Sequence, residues 1–159
     1  LVEILRSTAP LSKRLASKQN NPITAFTIKE IKMFSHVMLG VNDLEVSKKF
    51  YDALLGTLGY GPGVANKNRS FYRSPTGTFA ISTPINGEPA NHGNGSTIGF
   101  TVKSPEQGDA FHAAGIANGG TTCEDPPGWR DGSTGKLYLA YLRDPDGNKL
   151  CALHRPPKV

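Results

Sequence analysis

Cysteine occurs only twice in the 159 residues, at Cys123 and Cys151. Two thiols make no disulfide framework and are compatible with a reducing compartment, so a cytoplasmic protein is expected. Long hydrophobic runs are also missing. No stretch approaches the roughly 18 to 20 unbroken apolar residues needed to span a bilayer, which excludes a membrane-spanning helix and predicts a soluble chain. Neither a Gly-x-Ser-x-Gly elbow nor a phosphate-binding glycine loop occurs, so hydrolase and nucleotide-binding readings find no support. Basic charge is scarce where it would matter. Of the net charge of +5, the first 32 residues carry +4, from Arg6, Lys13, Arg14, Lys18, Lys29 and Lys32 against Glu3 and Glu30. The nearly neutral remainder offers no broad basic face for phosphates, and no nucleic-acid partner is expected.

What is present is turn chemistry. The 18 glycines and 12 prolines favour short elements joined by tight turns over a bundle of long helices. Residues 1–32 differ from the rest: basic, rich in Ser and Thr, and followed by Met33 where strong patterning begins. This segment reads as an extension without chemistry, as an organelle-targeting presequence, or as sequence upstream of a start at Met33. Residues 33–159 read as one domain, with module one at 33–84, a polar linker at 85–96 and module two at 97–156.

Module one opens with the apolar, strand-length run Phe34–Val41. Asn42-Asp43 then supplies a helix N-cap, and Leu44, Phe50, Tyr51, Leu54, Leu55 and Leu58 recur at helical spacing before Gly59 stops the segment. Strands are predicted near 70–73 and 78–83, around the turn Ser74-Pro-Thr-Gly77. After the linker the same order returns: strand 97–102, helix 105–117, a loop to Lys136, strand 137–143, the turn Asp144-Pro-Asp-Gly147 and strand 148–155. The repeat is also literal. At an offset of about 61 residues Val41, Glu45, Phe50 and Ala53 meet Val102, Glu106, Phe111 and Ala114; at an offset of about 70, Arg73-Ser-Pro-Thr-Gly77 meets Arg143-Asp-Pro-Asp-Gly147. The chain is therefore expected to be α+β, built from two tandem βαβββ modules.

A doubled module that begins His36-Val-Met-Leu-Gly-Val-Asn-Asp43 and ends Leu142-Arg-Asp-Pro-Asp-Gly-Asn-Lys149 resembles the vicinal oxygen chelate superfamily, which includes glyoxalase I, bleomycin-resistance proteins, fosfomycin-resistance enzymes and extradiol dioxygenases. Gly93–Phe100 and Ala110–Ala114 add to the likeness. The resemblance implies modules whose mixed sheets curl into a cup, pairing of chains into a homodimer, and a divalent metal held by side chains from the first and last strands of each module. Such an ion polarises two neighbouring substrate oxygens and stabilises the anion formed on them.

Carried onto this chain, the first ligand position is His36. The 61-residue offset makes Thr97 its counterpart, where metal-binding relatives usually have His. The 70-residue offset pairs Ile81 with Cys151, where relatives usually have Glu. His36 and Cys151 are thus the two candidate ligands, and two ligands from the protein fall short of the three that catalytic sites use. The cofactor expectation is none or a weakly bound divalent metal. Of the other histidines, His112 reads as a helix-surface or edge residue, His92 lies in the linker, and His154 faces away from Cys151 because odd spacing along a strand reverses the side.

The long loop Cys123–Lys136 is a candidate binding surface, because loops of such length inside a compact domain are often functional. It holds the only tryptophan, Trp129, beside Arg130, an aromatic and a guanidinium able to cover a planar or anionic ligand. Tyr72 either lines the opposite wall or packs in the core. Three functions remain open: a metal-independent protein binding a small organic molecule, with Trp129, Arg130, Tyr72 and Thr97 as contacts; a glyoxalase-like lyase or isomerase, or a dioxygenase-like enzyme, using His36; and an interaction protein with a closed cup.

Overall fold

Asp43 opens the first helix. Its carboxylate accepts hydrogen bonds from the backbone N–H groups of Glu45 and Val46, each at 3.0 Å, and so satisfies two donors that a helix start leaves bare. The helix α1 (Leu44–Gly56) buries Ser47, Phe50, Tyr51, Leu54 and Leu55, the stripe that the apolar spacing predicts. Beyond it Gly59 adopts φ +89°, and the Tyr60 N–H reaches back to the Leu55 carbonyl at 3.1 Å. That left-handed residue turns the chain sharply out of the helix.

The structure is a computed structural model and describes residues 33–133 and 135–157; the basic extension 1–32 lies outside the described residues. Module one comprises β1 (His36–Gly40), α1, β2 (Val64–Asn66), β3 (Arg69–Ser74) and β4 (Gly77–Ser82), in the sheet order β1-β4-β3-β2. β1 runs parallel to β4 and the other pairs are antiparallel. Module two comprises β5 (Ile98–Thr101), α2 (Pro105–Ala117), β6 (Thr121–Thr122), β7 (Gly128–Gly132), β8 (Gly135–Arg143) and β9 (Lys149–His154). Its sheet runs β5-β9-β8-β6, with β5 parallel to β9 and β7 paired to β8 beside β6. The chain is α+β with a doubled unit, as the sequence predicts: βαβββ in module one, and in module two the same order with the strand beside β8 interrupted into β6 and β7.

Two expectations are corrected. The segment expected as a loop from Cys123 to Lys136 is largely the strand β7 and its hairpin to β8, with Trp129 opposite Tyr138; the charged and glycine residues of Gly-Trp-Arg-Asp-Gly hide its alternation. The second correction concerns register. Arg73 pairs with Thr78 around a four-residue connection, whereas Arg143 pairs with Lys149 around five. The last strands of the modules therefore superpose at an offset of 71, so Cys151 corresponds to Ala80 and not to Ile81. A one-residue slip moves a side chain to the other face of the sheet, and Ile81 lies in the core beneath α1.

The core is shared between the modules. Phe50, Tyr51 and Leu54 of α1 and Phe111 of α2 are fully buried together with Ile81, Leu142 and Leu150 from the two sheets. Gly115 lets the helices meet: a Cβ there would overlap the Leu142 side chain and stand 3.1 Å from Leu54 Cδ1. Gln107 of α2 adds a hydrogen bond from its side-chain amide to the Thr57 carbonyl at the end of α1, at 2.9 Å.

A polar clasp fastens the modules at the other end. The Asp144-Pro-Asp-Gly147 turn of module two, which needs Gly147 at φ +87°, projects its carboxylates onto module one. Tyr51 donates its hydroxyl to Asp144 at 2.7 Å, Ser47 donates to Asp146 at 3.0 Å, and both the backbone and side-chain N–H groups of Asn42 reach Asp146. Asn148 donates to the Gly40 carbonyl at 3.0 Å and to Asp144 at 2.9 Å. Burial raises the Asp144 carboxyl above the ordinary range, against the pull of its Asn148 and Tyr51 donors. Burial and the Asp144 charge push the Tyr51 phenol well up, which keeps it a donor.

Replacing Tyr51 by Phe removes a buried hydrogen bond to a charged acceptor, which is worth about 1.5–3 kcal/mol. Urea unfolding at pH 7 should register a loss of that order. Because the variant lifts the Asp144 pKa further, the loss should shrink under acid conditions, where the carboxyl is protonated in both proteins; an equal loss at both pH values would contradict this account of the clasp.

Candidate functional site

A cavity of about 290 Å³ lies where the start of β1 and the β3–β4 turn of module one face β5 of module two. Its apolar wall is built from Val37, Leu55, Tyr72 and Phe79 on the helix-bearing side of module one, with Ile98 and Phe100 from β5; Phe34, His36 and Tyr60 are exposed lining residues, and Ser74, Thr76 and Thr78 supply hydroxyls. Phe79 stands edge-on to Phe100 at 5.4 Å between centroids and tilted against Tyr51 at 5.0 Å, so an aromatic cluster backs the cavity. Tyr72 is held from α1: its hydroxyl donates to Asp52 at 2.9 Å, and the same oxygen of Asp52 accepts the Gly63 N–H at 2.8 Å. Lys48 pairs with the other Asp52 oxygen at 2.5 Å. Burial and the Asp52 charge raise the Tyr72 phenol, which stays protonated.

The residues singled out from sequence are distributed among several places. His36 and Tyr72 line the cavity, His36 with its Nδ1 2.9 Å from Ser35 Oγ. Thr97 is exposed just before β5. Cys151 lies opposite Gly99 and Tyr141 in the second sheet, on the face away from the core residues Leu150 and Ala152. Ile81 is on the core side of the first sheet, whereas His36 pairs with Thr78 and faces the other way. Trp129 packs edge-on against Tyr138 at 5.5 Å and His154 at 6.1 Å, on the side where Tyr138 donates to Asp109 of α2. Arg130, next in the strand, turns back to the Pro126 carbonyl at 2.7 Å. Trp129 and Arg130 therefore do not join His36 and Tyr72 around the cavity. His112 is half-buried beside Thr122, and burial lowers its pKa.

The sequence reading missed Phe34, Tyr60, Phe79, Ile98, Gly99 and Phe100 as cavity residues. One signal was available. Gly99 interrupts an otherwise apolar strand and marks a place where a side chain is dispensed with.

A model of the Glyoxalase/Bleomycin resistance protein/Dioxygenase superfamily matches residues 33–152. The chain belongs to this superfamily. The crystal structure of a glyoxalase/bleomycin resistance protein from Albidiferax ferrireducens T118 is 84% identical, matches 78% of this chain and all of its own, and superposes with a TM-score of 0.77. A glyoxalase-related enzyme from Fulvimarina pelagi, 21% identical over 79% of this chain and 90% of its own with a TM-score of 0.62, has the same fold. So does a glyoxalase/bleomycin resistance protein/dioxygenase family enzyme from Burkholderia phytofirmans PsJN, 17% identical over 76% of this chain and 96% of its own with a TM-score of 0.58. No protein of curated function matches.

For a member of the glyoxalase superfamily the implied resident group is a divalent metal, and the described donors of this chain do not assemble a site that fits one. Among the described residues no three His, Cys, Asp or Glu side chains come together closely enough to hold an ion. Cys151 is buried, burial pushes its thiol above the usual range, and its sulfur lies 3.5 Å from the Ala152 carbonyl. The thiolate is the form that binds an ion, and burial makes it costly here.

The same burial makes Cys151 inert. Iodoacetamide at pH 8 should modify half-buried Cys123 in the folded protein and leave Cys151 untouched until denaturant is added, as followed by mass spectrometry. Labelling of native Cys151 at the rate of a free thiol would contradict its assigned environment.

Proposed function

We propose that this member of the glyoxalase superfamily is a metal-independent binding protein for a small organic molecule, held in the cavity between β1, the β3–β4 turn and β5. The observation that carries this reading is the cavity itself. At about 290 Å³ it is close to the lower end of the size range of small-molecule sites, and its wall is largely apolar with a few polar groups, the usual make-up of such sites. The alternative of a closed cup is disfavoured by the same space. The alternative of a divalent-metal lyase, isomerase or dioxygenase-like enzyme would leave His36 without protein co-ligands among the described residues.

The reading includes a homodimer and a cytoplasmic location. In favour of pairing, β1 is an edge strand, and Met33, Phe34 and Met38 beside or within it are exposed; an apolar sheet edge left open invites a partner strand or face. In favour of the location, Cys123 and Cys151 are both free, and no helix among the described residues is long and apolar enough to cross a membrane.

Two measurements test the function. A thermal-shift screen of planar aromatics, cationic drugs and thiol adducts should find compounds that raise the Tm, since a ligand at a hundred times its Kd adds about 2.7 kcal/mol. Elemental analysis of protein purified without chelator should find divalent metal far below one ion per chain. Stoichiometric metal that disappears in His36→Ala would overturn the metal-independent reading.

A further inference from the structure

We infer, resting on the binding function proposed above, that the ligand of this cavity is an uncharged aromatic molecule bearing a polar substituent. Among the described residues its lining contains no carboxylate, ammonium or guanidinium group. A charged ligand entering it would lose hydration with no opposite charge to replace it, a cost that neutral molecules do not meet. Rings, by contrast, are abundant. Phe34, Tyr60, Tyr72, Phe79 and Phe100 all contribute to the wall, and Phe79 and Phe100 already meet at the edge-to-face geometry that a further ring would extend.

The polar capacity of the lining is small because most of it is in use. The Tyr72 hydroxyl is committed to Asp52, the Ser74 hydroxyl donates to the Gly77 carbonyl and is met by the Thr76 hydroxyl at 3.0 Å, and His36 Nδ1 is engaged with Ser35. The groups left to meet a ligand are His36 Nε2 and the hydroxyls of Tyr60 and Thr78. These suit a phenol, an indole N–H or a carbonyl attached to a ring, and they are too few for a sugar or another polyhydroxylated molecule. A neighbouring recess of about 190 Å³ that shares Tyr60 and Tyr72 does hold a cation; there Arg73 lies over the Phe71 ring, 4.9 Å from its centroid.

Gly99 provides the test. It lines the cavity from the face of β5 opposite to Ile98 and Phe100, and a Cβ built on it would meet no heavy atom within 4 Å, so a large side chain can cover the cavity mouth without displacing the fold. Four probes of similar size are titrated at pH 7.5 by calorimetry, with methyl NMR of Ile98 as a reporter of place: indole, 2-naphthol, 2-naphthoate and 2-naphthylmethylammonium. The expected result is that indole and 2-naphthol shift the Ile98 methyl and bind at least about tenfold more tightly than the two ions, a difference of about 1.4 kcal/mol. Gly99→Phe should abolish 2-naphthol binding and leave the Tm unchanged. Gly99→Leu, a smaller cover, should weaken it in the same direction and serves if the Phe variant is destabilised.

Charged probes that bind as tightly as the neutral ones at Ile98 would overturn the ligand class and leave the binding function standing. Preferred binding of 2-naphthoate that vanishes in Arg73→Ala would also overturn it, assigning the ligand to the neighbouring recess. Unaltered 2-naphthol binding in both Gly99 variants would remove the ligand from this cavity. Failure of all four probes to bind, together with a silent thermal-shift screen, would instead bring down the binding function itself.

Discussion

The hydrogen bond from Tyr51 to the buried Asp144 carboxylate fixes how the two modules meet, and the position of the cavity follows from it. Both groups lie in the interior, one on the helix of module one and the other on the hairpin turn of module two. An unpaired buried carboxylate is costly, so the arrangement persists only if Tyr51, Asn148 and the turn amides all stay on it. The clasp therefore specifies one arrangement of the modules. Generic apolar contact between α1 and α2 would tolerate sliding; the directional bonds of Tyr51 to Asp144, of Ser47 and Asn42 to Asp146 and of Asn148 to the Gly40 carbonyl do not.

With the modules fastened at the Asp144 turn, the corresponding turn of module one is free to do something else. Ser74-Pro-Thr-Gly77 carries a hydroxyl where the second turn carries Asp144, and Ser74 closes its own turn through Thr76 and Gly77. It makes no clasp onto module two. The space beside it remains open and becomes the cavity, backed by Phe79 and Phe100. Two turns of similar sequence thus make a joint at one end and the side of a pocket at the other.

The chemistry open to that pocket is limited by what reaches it. His36 is the one imidazole in its lining, and Cys151, the other residue suggested as a ligand, sits on a different sheet as a protonated, buried thiol. Binding by rings and a few neutral hydrogen-bonding groups is what these side chains support best. Trp129 and Arg130 are attractive partners in the chain and separate in space, because neighbouring residues of a strand point to opposite sides: Trp129 goes to Tyr138 and Arg130 goes back to Pro126.

The amino-acid sequence by itself determined the elements, their order and their doubling. Asp43 as a cap, Gly59 as a stop, the three-to-four spacing of α1 and the paired x-Pro-x-Gly turns act through bonds a few residues apart, so they are readable without a fold. The strand β7 escaped that reading because its Gly-Trp-Arg-Asp-Gly composition is stabilised only by pairing with β8. Tertiary structure alone decided which face each strand residue takes: one additional residue in the second turn matches Cys151, on the opposite side to Leu150 and Ala152, to Ala80 and not to the core residue Ile81. It also decided the cavity, since Phe34, Tyr60, Phe79, Ile98 and Phe100 come from segments whose meeting depends on how two modules pack, and packing contacts between distant segments leave no local pattern in the chain.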